Sequence, residues 1–101
     1  MELIYIPCSS EQEAEKIAQQ LLEKKLIACA NIFPIRSMYW WEGKIAKENE
    51  VVLLCKTEKR YEEVKRVVEE MHSYSIPCIL KIDSSVNSKY ADWIHSSIRN
   101  S

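Results

Sequence analysis

The chain has 101 residues, with 14 Lys and Arg against 15 Asp and Glu and a net charge of −1. This length fits one domain, which we expect to cover residues 1–101, and a charge so near zero excludes the strongly basic surface of a nucleic-acid-binding protein. No apolar run approaches the ~20 residues of a membrane span, and no basic leader-like segment precedes the first apolar stretch. We therefore expect neither a nucleic-acid nor a membrane partner, and a cytoplasmic location.

The first part of the chain predicts a short strand followed by a helix. Residues 3–6 form an apolar run that ends at Pro7, which is typical of a buried strand. Ser10 followed by Glu13 fits a capping box, and Lys24 and Lys25 suit the last turn of the helix behind it. The apolar stripe of this helix consists of Ala14, Ile17, Ala18, Leu21 and Leu22.

A long hairpin is predicted next. Residues 27–41 and 44–57 are rich in apolar, β-branched and aromatic side chains without helical periodicity, and Gly43, the only glycine, lies between them. Strands of this length exceed the common ~5–6 residues, so we expect the tip to project beyond the body of the domain. Tyr39, Trp40 and Trp41 would alternate across the strand and leave both faces apolar, so we expect neighbouring copies to bury them.

The rest of the chain predicts a helix, a strand and a final helix. Thr57 is a predicted cap for the helix that follows, Pro77 precedes a strand at residues 78–82, and Asn87 is a predicted cap for the last helix. The helices are expected to turn inward Tyr61, Val64, Val67, Val68, Met71, Tyr90, Ala91, Ile94 and Ile98, with Trp93 beside the last of these.

This order of elements predicts an α+β fold, a ferredoxin-like βαββαβ sandwich with an extra C-terminal helix and a long central hairpin. Too few helices remain to cover the second face of the sheet, so other copies of the chain are the simplest cover. The cysteines, Cys8, Cys29, Cys55 and Cys78, lie too far apart for compact zinc spacing. They are interpreted mainly as buried reduced thiols, although their number alone leaves disulfides open.

Five segments resemble successive motifs of one family. They are Ala28-Cys29-Ala30-Asn31-Ile32, Tyr39-Trp40-Trp41-Glu42-Gly43-Lys44-Ile45, Leu54-Cys55-Lys56-Thr57, Tyr74-Ser75-Ile76-Pro77 and Tyr90-Ala91-Asp92-Trp93-Ile94. Their order and spacing over nearly the whole chain are similar to those of the CutA family, the divalent-cation tolerance proteins. The resemblance implies a compact, thermostable homotrimer of ferredoxin-like subunits, in which each hairpin lies on a neighbour, and a function in the response to metal ions.

The same resemblance suggests metal ligands. Metal binding in the family is associated with a cysteine near the end of the first strand and a histidine just before the Tyr-x-x-Pro motif. His72 matches the histidine, whereas Ile6 occupies the cysteine position and Cys8 follows two residues later. Cys78 stands where the family usually has glutamate. We therefore expect a weak site for copper or another divalent cation, made by His72 with Cys78 or Cys8, and no obligatory cofactor. The alternative is a structural His72 that caps its own helix.

Polar residues at the two ends of the hairpin suggest a second kind of site. In a trimer the tip and the base of different hairpins can meet, and such a cleft would either pack around an ion pair or bind a small anion or metabolite. The residues expected in this intersubunit cleft or interface are Tyr39, Trp40, Trp41, Glu42, Gly43, Lys56, Thr57, Tyr74 and Trp93.

No catalytic residues are predicted. An acylphosphatase of the same fold needs an arginine-containing phosphate loop after the first strand, and residues 7–10 contain neither Arg nor Gly. A metallochaperone of this fold would carry Cys-x-x-Cys there, where the chain offers only Cys8. The main alternative is therefore a trimeric small-ligand sensor or scaffold, similar in plan to the PII signal proteins, with metabolite clefts between subunits.

Overall fold

The computed structural model describes residues 1–99 as a four-stranded antiparallel sheet with three helices. In chain order the elements are β1 (Glu2–Cys8), α1 (Glu11–Glu23), β2 (Cys29–Trp41), β3 (Lys44–Thr57), α2 (Tyr61–Met71), β4 (Leu80–Asp83) and α3 (Ser88–Ile98). The strands lie in the order β2-β3-β1-β4 and every neighbouring pair is antiparallel. The predicted ferredoxin-like sandwich with an extra helix is confirmed. No helix among the described residues is long and apolar enough to cross a membrane.

The main core lies between the sheet and the first two helices. Along β1 every second side chain is buried, including Ile4 and Ile6. Leu53 and Cys55 of β3 join this face. From the helix side the core receives Ala14, Ile17, Ala18, Leu21, Val64 and Val68. The predicted apolar stripe of α1 is therefore confirmed except at Leu22, whose side chain is 40% exposed.

The C-terminal helix covers part of the second sheet face. Ile94 and Ile98 of α3 are buried, as is Val52 of β3, which points away from the main core. Nearby, the Lys56 Nζ lies 5.5 Å from the centroid of the Tyr90 ring. Further along the same face, the β4 side chains remain exposed. The chain's own helices thus cover the β3 side of this face, not the β4 edge.

The predicted hairpin projects as a two-stranded arm, which we define as residues 35–50. Strand β1 ends with Cys8 opposite Val51, so beyond that point β2 and β3 continue alone. Seven residues on each side span roughly 23 Å at ~3.3 Å per residue. The molecule accordingly measures 47 Å along its longest axis and 25 and 21 Å along the others.

The arm reverses in a two-residue turn at the predicted place. Glu42 and Gly43 have φ values of 49° and 76°, the pair of positive angles that suits a tight hairpin between right-twisted strands. The register is unbroken from Cys29 opposite Lys56 to Trp41 opposite Lys44. The only glycine is therefore placed at a position where the backbone requires a conformation that glycine adopts at little cost.

Several predicted boundaries are wrong. Strand β1 continues through Pro7 to Cys8, β2 begins at Cys29 rather than at residue 27, and α1 ends at Glu23, before the two lysines predicted for its last turn. Thr57 does not cap α2, because it is still paired in β3, and its buried hydroxyl donates a hydrogen bond of 2.7 Å to the Leu26 carbonyl. The N-cap of α2 is instead Arg60. Strand β4 begins at Leu80 rather than at Cys78, since its pairing with β1 starts only there.

Candidate metal site

Three potential metal ligands meet where β1, α1 and α2 come together. A Cys8 sulfur, a Glu13 carboxylate oxygen and a His72 ring nitrogen all lie within 4.8 Å of one another. Cys8 is the last residue of β1, Glu13 lies in the first turn of α1, and His72 is the C-cap of α2. The structure thus brings together two of the three predicted ligands and adds Glu13. Cys78 is exposed and lies outside this group.

Glu13 is held in place by the turn between β1 and α1. Its backbone N–H donates to the Ser10 hydroxyl at 3.1 Å, as in a capping box. Its carboxylate accepts hydrogen bonds from the Ser9 amide at 2.9 Å and from the Ser73 amide at 2.9 Å. Burial alone would raise the pKa of Glu13, but the hydrogen bonds from Ser9 and Ser73 outweigh it and lower this pKa to about 2. At neutral pH Glu13 is therefore an anion.

The hydrogen bonds of the His72 ring indicate which of its two nitrogens is the acceptor. The Tyr74 amide donates to Nδ1 at 3.1 Å, so Nδ1 carries no proton. The proton is therefore on Nε2, which donates to the Pro7 carbonyl at 2.7 Å. The His72 backbone N–H bonds the Val68 carbonyl and closes α2, but the ring reaches away from that helix. The ring therefore bridges β1 and the segment after α2, and is not a cap for its own helix.

Cys8 is a buried thiol. Its side chain is fully buried, and Sγ lies 3.5 Å from the Ile6 carbonyl, to which it donates. Burial, and then the nearby carboxylates of Glu13 and Glu50, raise its pKa to about 12. A metal ion would have to displace the thiol proton before the sulfur became a strong ligand.

The four cysteines occupy different environments. All are free in the structure. Cys55 is buried, and burial raises its pKa to about 12, as for Cys8. Cys29 is partly exposed and Cys78 is exposed. The predicted burial is therefore confirmed for Cys8 and Cys55, partial for Cys29 and wrong for Cys78.

The side chains predicted for an intersubunit cleft are spread along the sheet. The aromatic side chains near the arm tip are exposed, Trp40 most of all at 73%. Tyr74 donates its hydroxyl to Glu50 at 2.7 Å at the root of the arm, and Trp93 is exposed beside Tyr90 on α3. Thr57 is fully buried within its own subunit, so it does not line a surface cleft. The Thr57 hydroxyl donates to the Leu26 carbonyl, a partner that the sequence did not reveal.

These features define a small ferredoxin-like domain with a projecting hairpin and a candidate ion site at the hairpin's root. The family model described as CutA1 divalent ion tolerance protein matches residues 2–97, and the chain belongs to this family. The resemblance seen in the motifs is thereby confirmed.

Individual CutA proteins agree with this assignment. The divalent-cation tolerance protein CutA of Archaeoglobus fulgidus is 48% identical over 97 residues, which cover 94% of this chain and 95% of the relative. A solved structure of the periplasmic divalent cation tolerance protein CutA from Archaeoglobus fulgidus superposes with a TM-score of 0.95 at 46% identity, covering 98% of this chain and 100% of the other. A PII-like protein CutA from a Nostoc species gives a TM-score of 0.89 at 27% identity, covering 98% of each chain.

The Glu13 carboxylate should make stability depend on acid pH. Its pKa falls from 4.5 to about 2 on folding, so its contribution is complete above about 4.5 and is lost as the pH falls toward 2. We expect Glu13→Gln to lower the free energy of unfolding at pH 7, and this deficit to shrink between pH 4.5 and 2. Urea unfolding at fixed protein concentration measures it. Glu15→Gln, on an exposed part of the same helix, is the control. A deficit independent of pH would contradict this account.

Proposed function

We propose that this chain is a trimeric CutA protein that binds a divalent cation weakly and takes part in the response to metal ions. The observation that carries the proposal is the convergence of Cys8, Glu13 and His72 within 4.8 Å. Membership of the CutA1 divalent ion tolerance family supports it, as does the name of the Archaeoglobus fulgidus relative, a divalent-cation tolerance protein.

The donor set favours a divalent ion of intermediate softness. One sulfur, one imidazole nitrogen and one carboxylate oxygen are all ligands that Zn²⁺ accepts, and three protein ligands leave a fourth position for water. Cu(II) also accepts imidazole and carboxylate, whereas Cu(I) favours soft sulfur ligands. Zn²⁺ and Cu²⁺ therefore fit the site better than Cu⁺. Weak binding is expected, because the ion must displace the Cys8 proton and compete for a His72 ring that two backbone groups already hold.

The arm supports assembly through strand contacts. Over residues 44–50, β3 has β2 on one side, and β1 has already ended on the other. Such an unpaired edge offers backbone N–H and C=O groups to another strand, and the exposed aromatic residues beside it offer apolar area. In the proposed trimer each arm lies along a neighbouring copy and both features are covered. The proposal includes a cytoplasmic location.

Calorimetric titration tests the ion site. We expect reduced protein to bind one Zn²⁺ per chain, and we expect His72→Ala, Cys8→Ser and Glu13→Gln each to weaken binding at least about tenfold. His95→Ala is the matched histidine control, because the His95 side chain is exposed on α3 with its Nδ1 at 2.9 Å from Glu58. Cys78→Ser tests the other predicted sulfur and should leave binding unchanged. Equal affinity of the wild type and His72→Ala would remove His72 from any site.

A metabolite-binding function is the second candidate. An open groove of about 460 Å³ runs along the root of the arm and is lined in part by Ser9, Arg36 and Glu50. Arg36 and Glu50 supply one charge of each sign beside apolar walls, which suits a small polar metabolite, and one structural relative is described as a PII-like protein CutA. Native mass spectrometry of untagged protein would detect a retained small molecule. A chain mass without metal but with such a ligand would favour this candidate over the ion site.

A further inference from the structure

The segment that follows α2 donates hydrogen bonds directly to two of the candidate ligands. We define residues 73–78 as the anchored loop. The Ser73 amide donates to Glu13 at 2.9 Å, and the Tyr74 amide donates to His72 Nδ1 at 3.1 Å. Two further contacts hold the start of the loop. The Tyr74 hydroxyl donates to Glu50 at 2.7 Å, and the Tyr74 ring packs against the His72 ring with 4.6 Å between the ring centroids. Beyond these contacts the loop carries Ile76, whose side chain is 76% exposed.

Ion binding through the His72 ring removes the Tyr74 amide's acceptor whichever nitrogen is used. If Nδ1 binds the ion, its lone pair is no longer available to Tyr74. If Nε2 binds the ion, the proton now on Nε2 must leave that nitrogen, and a neutral ring carries it on Nδ1. Nδ1–H then faces the Tyr74 N–H, and two donors cannot bond each other. Both routes therefore break the same hydrogen bond.

The hydrogen bond from the Ser73 amide to Glu13 responds differently to a bound ion. A carboxylate oxygen has more than one lone pair, so Glu13 can keep the Ser73 amide while it binds an ion. The acceptor of the Tyr74 amide, His72 Nδ1, has only one lone pair and cannot keep this hydrogen bond while the ring binds an ion. A partly buried amide without a partner is costly, so the backbone at Tyr74 must turn toward water. This backbone rotation also displaces the Tyr74 side chain, whose hydroxyl donates to Glu50.

We propose that ion binding at Cys8, Glu13 and His72 releases the anchored loop, beginning at the Tyr74 amide. This inference rests on the proposed function and states how occupancy of the ion site is passed to the protein surface. Loop release adds a cost to ion binding, and the coupling is reciprocal. Any change that loosens the loop without touching a ligand must therefore strengthen ion binding.

Hydrogen exchange of the assembled, reduced protein tests the release. With Zn²⁺ as the probe, we expect the Tyr74 amide to exchange at least about tenfold faster in the loaded protein than in the apo protein. Calorimetry on the same sample establishes whether Zn²⁺ is bound. Zinc binding without faster exchange at Tyr74 would overturn this inference and leave the ion site standing. Failure of the wild type to bind zinc would overturn both.

A matched pair of tyrosine variants tests the reciprocity. Tyr74→Phe removes the hydrogen bond to Glu50 and keeps the ring, so it should lower the Kd for Zn²⁺ about fivefold, the equivalent of a typical hydrogen bond. Tyr90→Phe removes a hydroxyl on α3, on the other side of the domain from α1 and α2, and should leave the Kd unchanged. An unchanged or higher Kd in Tyr74→Phe would contradict the proposed coupling.

Discussion

A Trp41→Ser chain is expected to fold as a subunit and fail to assemble. Trp41 lies at the end of β2, beyond the last residue that β1 supports, and its side chain is half-exposed in the single subunit. Large aromatic side chains at the centre of an interface commonly contribute about 2 kcal/mol or more each, and a trimer loses this contribution three times. The effect should therefore fall on assembly before it falls on ion binding.

Light scattering after size exclusion measures this loss. The wild type should have three times the 11.9 kDa mass of the chain, and Trp41→Ser should approach the single-chain mass at micromolar concentration. Gly43→Val should act in the same direction, because a β-branched side chain is strained at a φ of 76°. Leu22→Ser replaces a partly exposed apolar side chain on α1 and serves as the control. A wild-type mass of one chain would rule out the trimer, and a trimeric Trp41→Ser would show that the arm aromatics do not hold it.

Leu53→Ala is expected to lower the free energy of unfolding of the subunit far more than Leu22→Ala does. Leu53 is fully buried on the central strand β3, opposite Ile6 of β1 and Ile32 of β2. Truncating such a leucine removes apolar burial and leaves a cavity, at a cost of about 2–5 kcal/mol. That is a large share of the roughly 5–15 kcal/mol that stabilises a typical domain.

Thermal unfolding at one protein concentration, followed by circular dichroism, measures the effect. The melting temperature of Leu53→Ala should fall by about 10 °C or more. Leu22→Ala is the matched control, since it removes the same atoms from a partly exposed position on α1, and its change should be much smaller. Similar losses for the two variants would mean that Leu53 does not hold a tightly packed position.

The parts of the fold that were predicted are those with a strong local pattern. The α1 stripe follows from periodicity and is confirmed except at Leu22. The Ser10 cap follows from capping chemistry and is confirmed by the hydrogen bond from the Glu13 N–H to the Ser10 hydroxyl. The turn at Gly43 follows from the need for a positive φ. Thr57 shows where this reasoning fails, because a threonine before a helix is also a good strand residue. Its pairing with Glu2 and its bond to Leu26 depend on contacts between distant parts of the chain.

The candidate site was predicted only in part for a related reason. The motif position predicts His72, and Cys8 is predicted as the nearest cysteine to a motif position that Ile6 occupies, whereas the sequence pattern assigns Glu13 to the helix cap alone. The available signal was its place in the first turn after Cys8, since a capping-box side chain points back toward the preceding strand end. Cys78 could not be separated from Cys8 by sequence, because only the fold shows that residues 77–79 precede β4 without pairing to β1.

Because the register of the arm is unbroken, the length of the arm can change without a change at the candidate ion site. Side chains on a strand alternate with a period of two, so adding two residues to each strand beyond Val51 would lengthen the arm and keep both its faces. Adding a single residue to each strand would exchange those faces from that point to the tip. Neither change would move Cys8, which pairs with Val51 before the arm begins. The length of the arm can thus vary while the geometry of the candidate ion site stays the same.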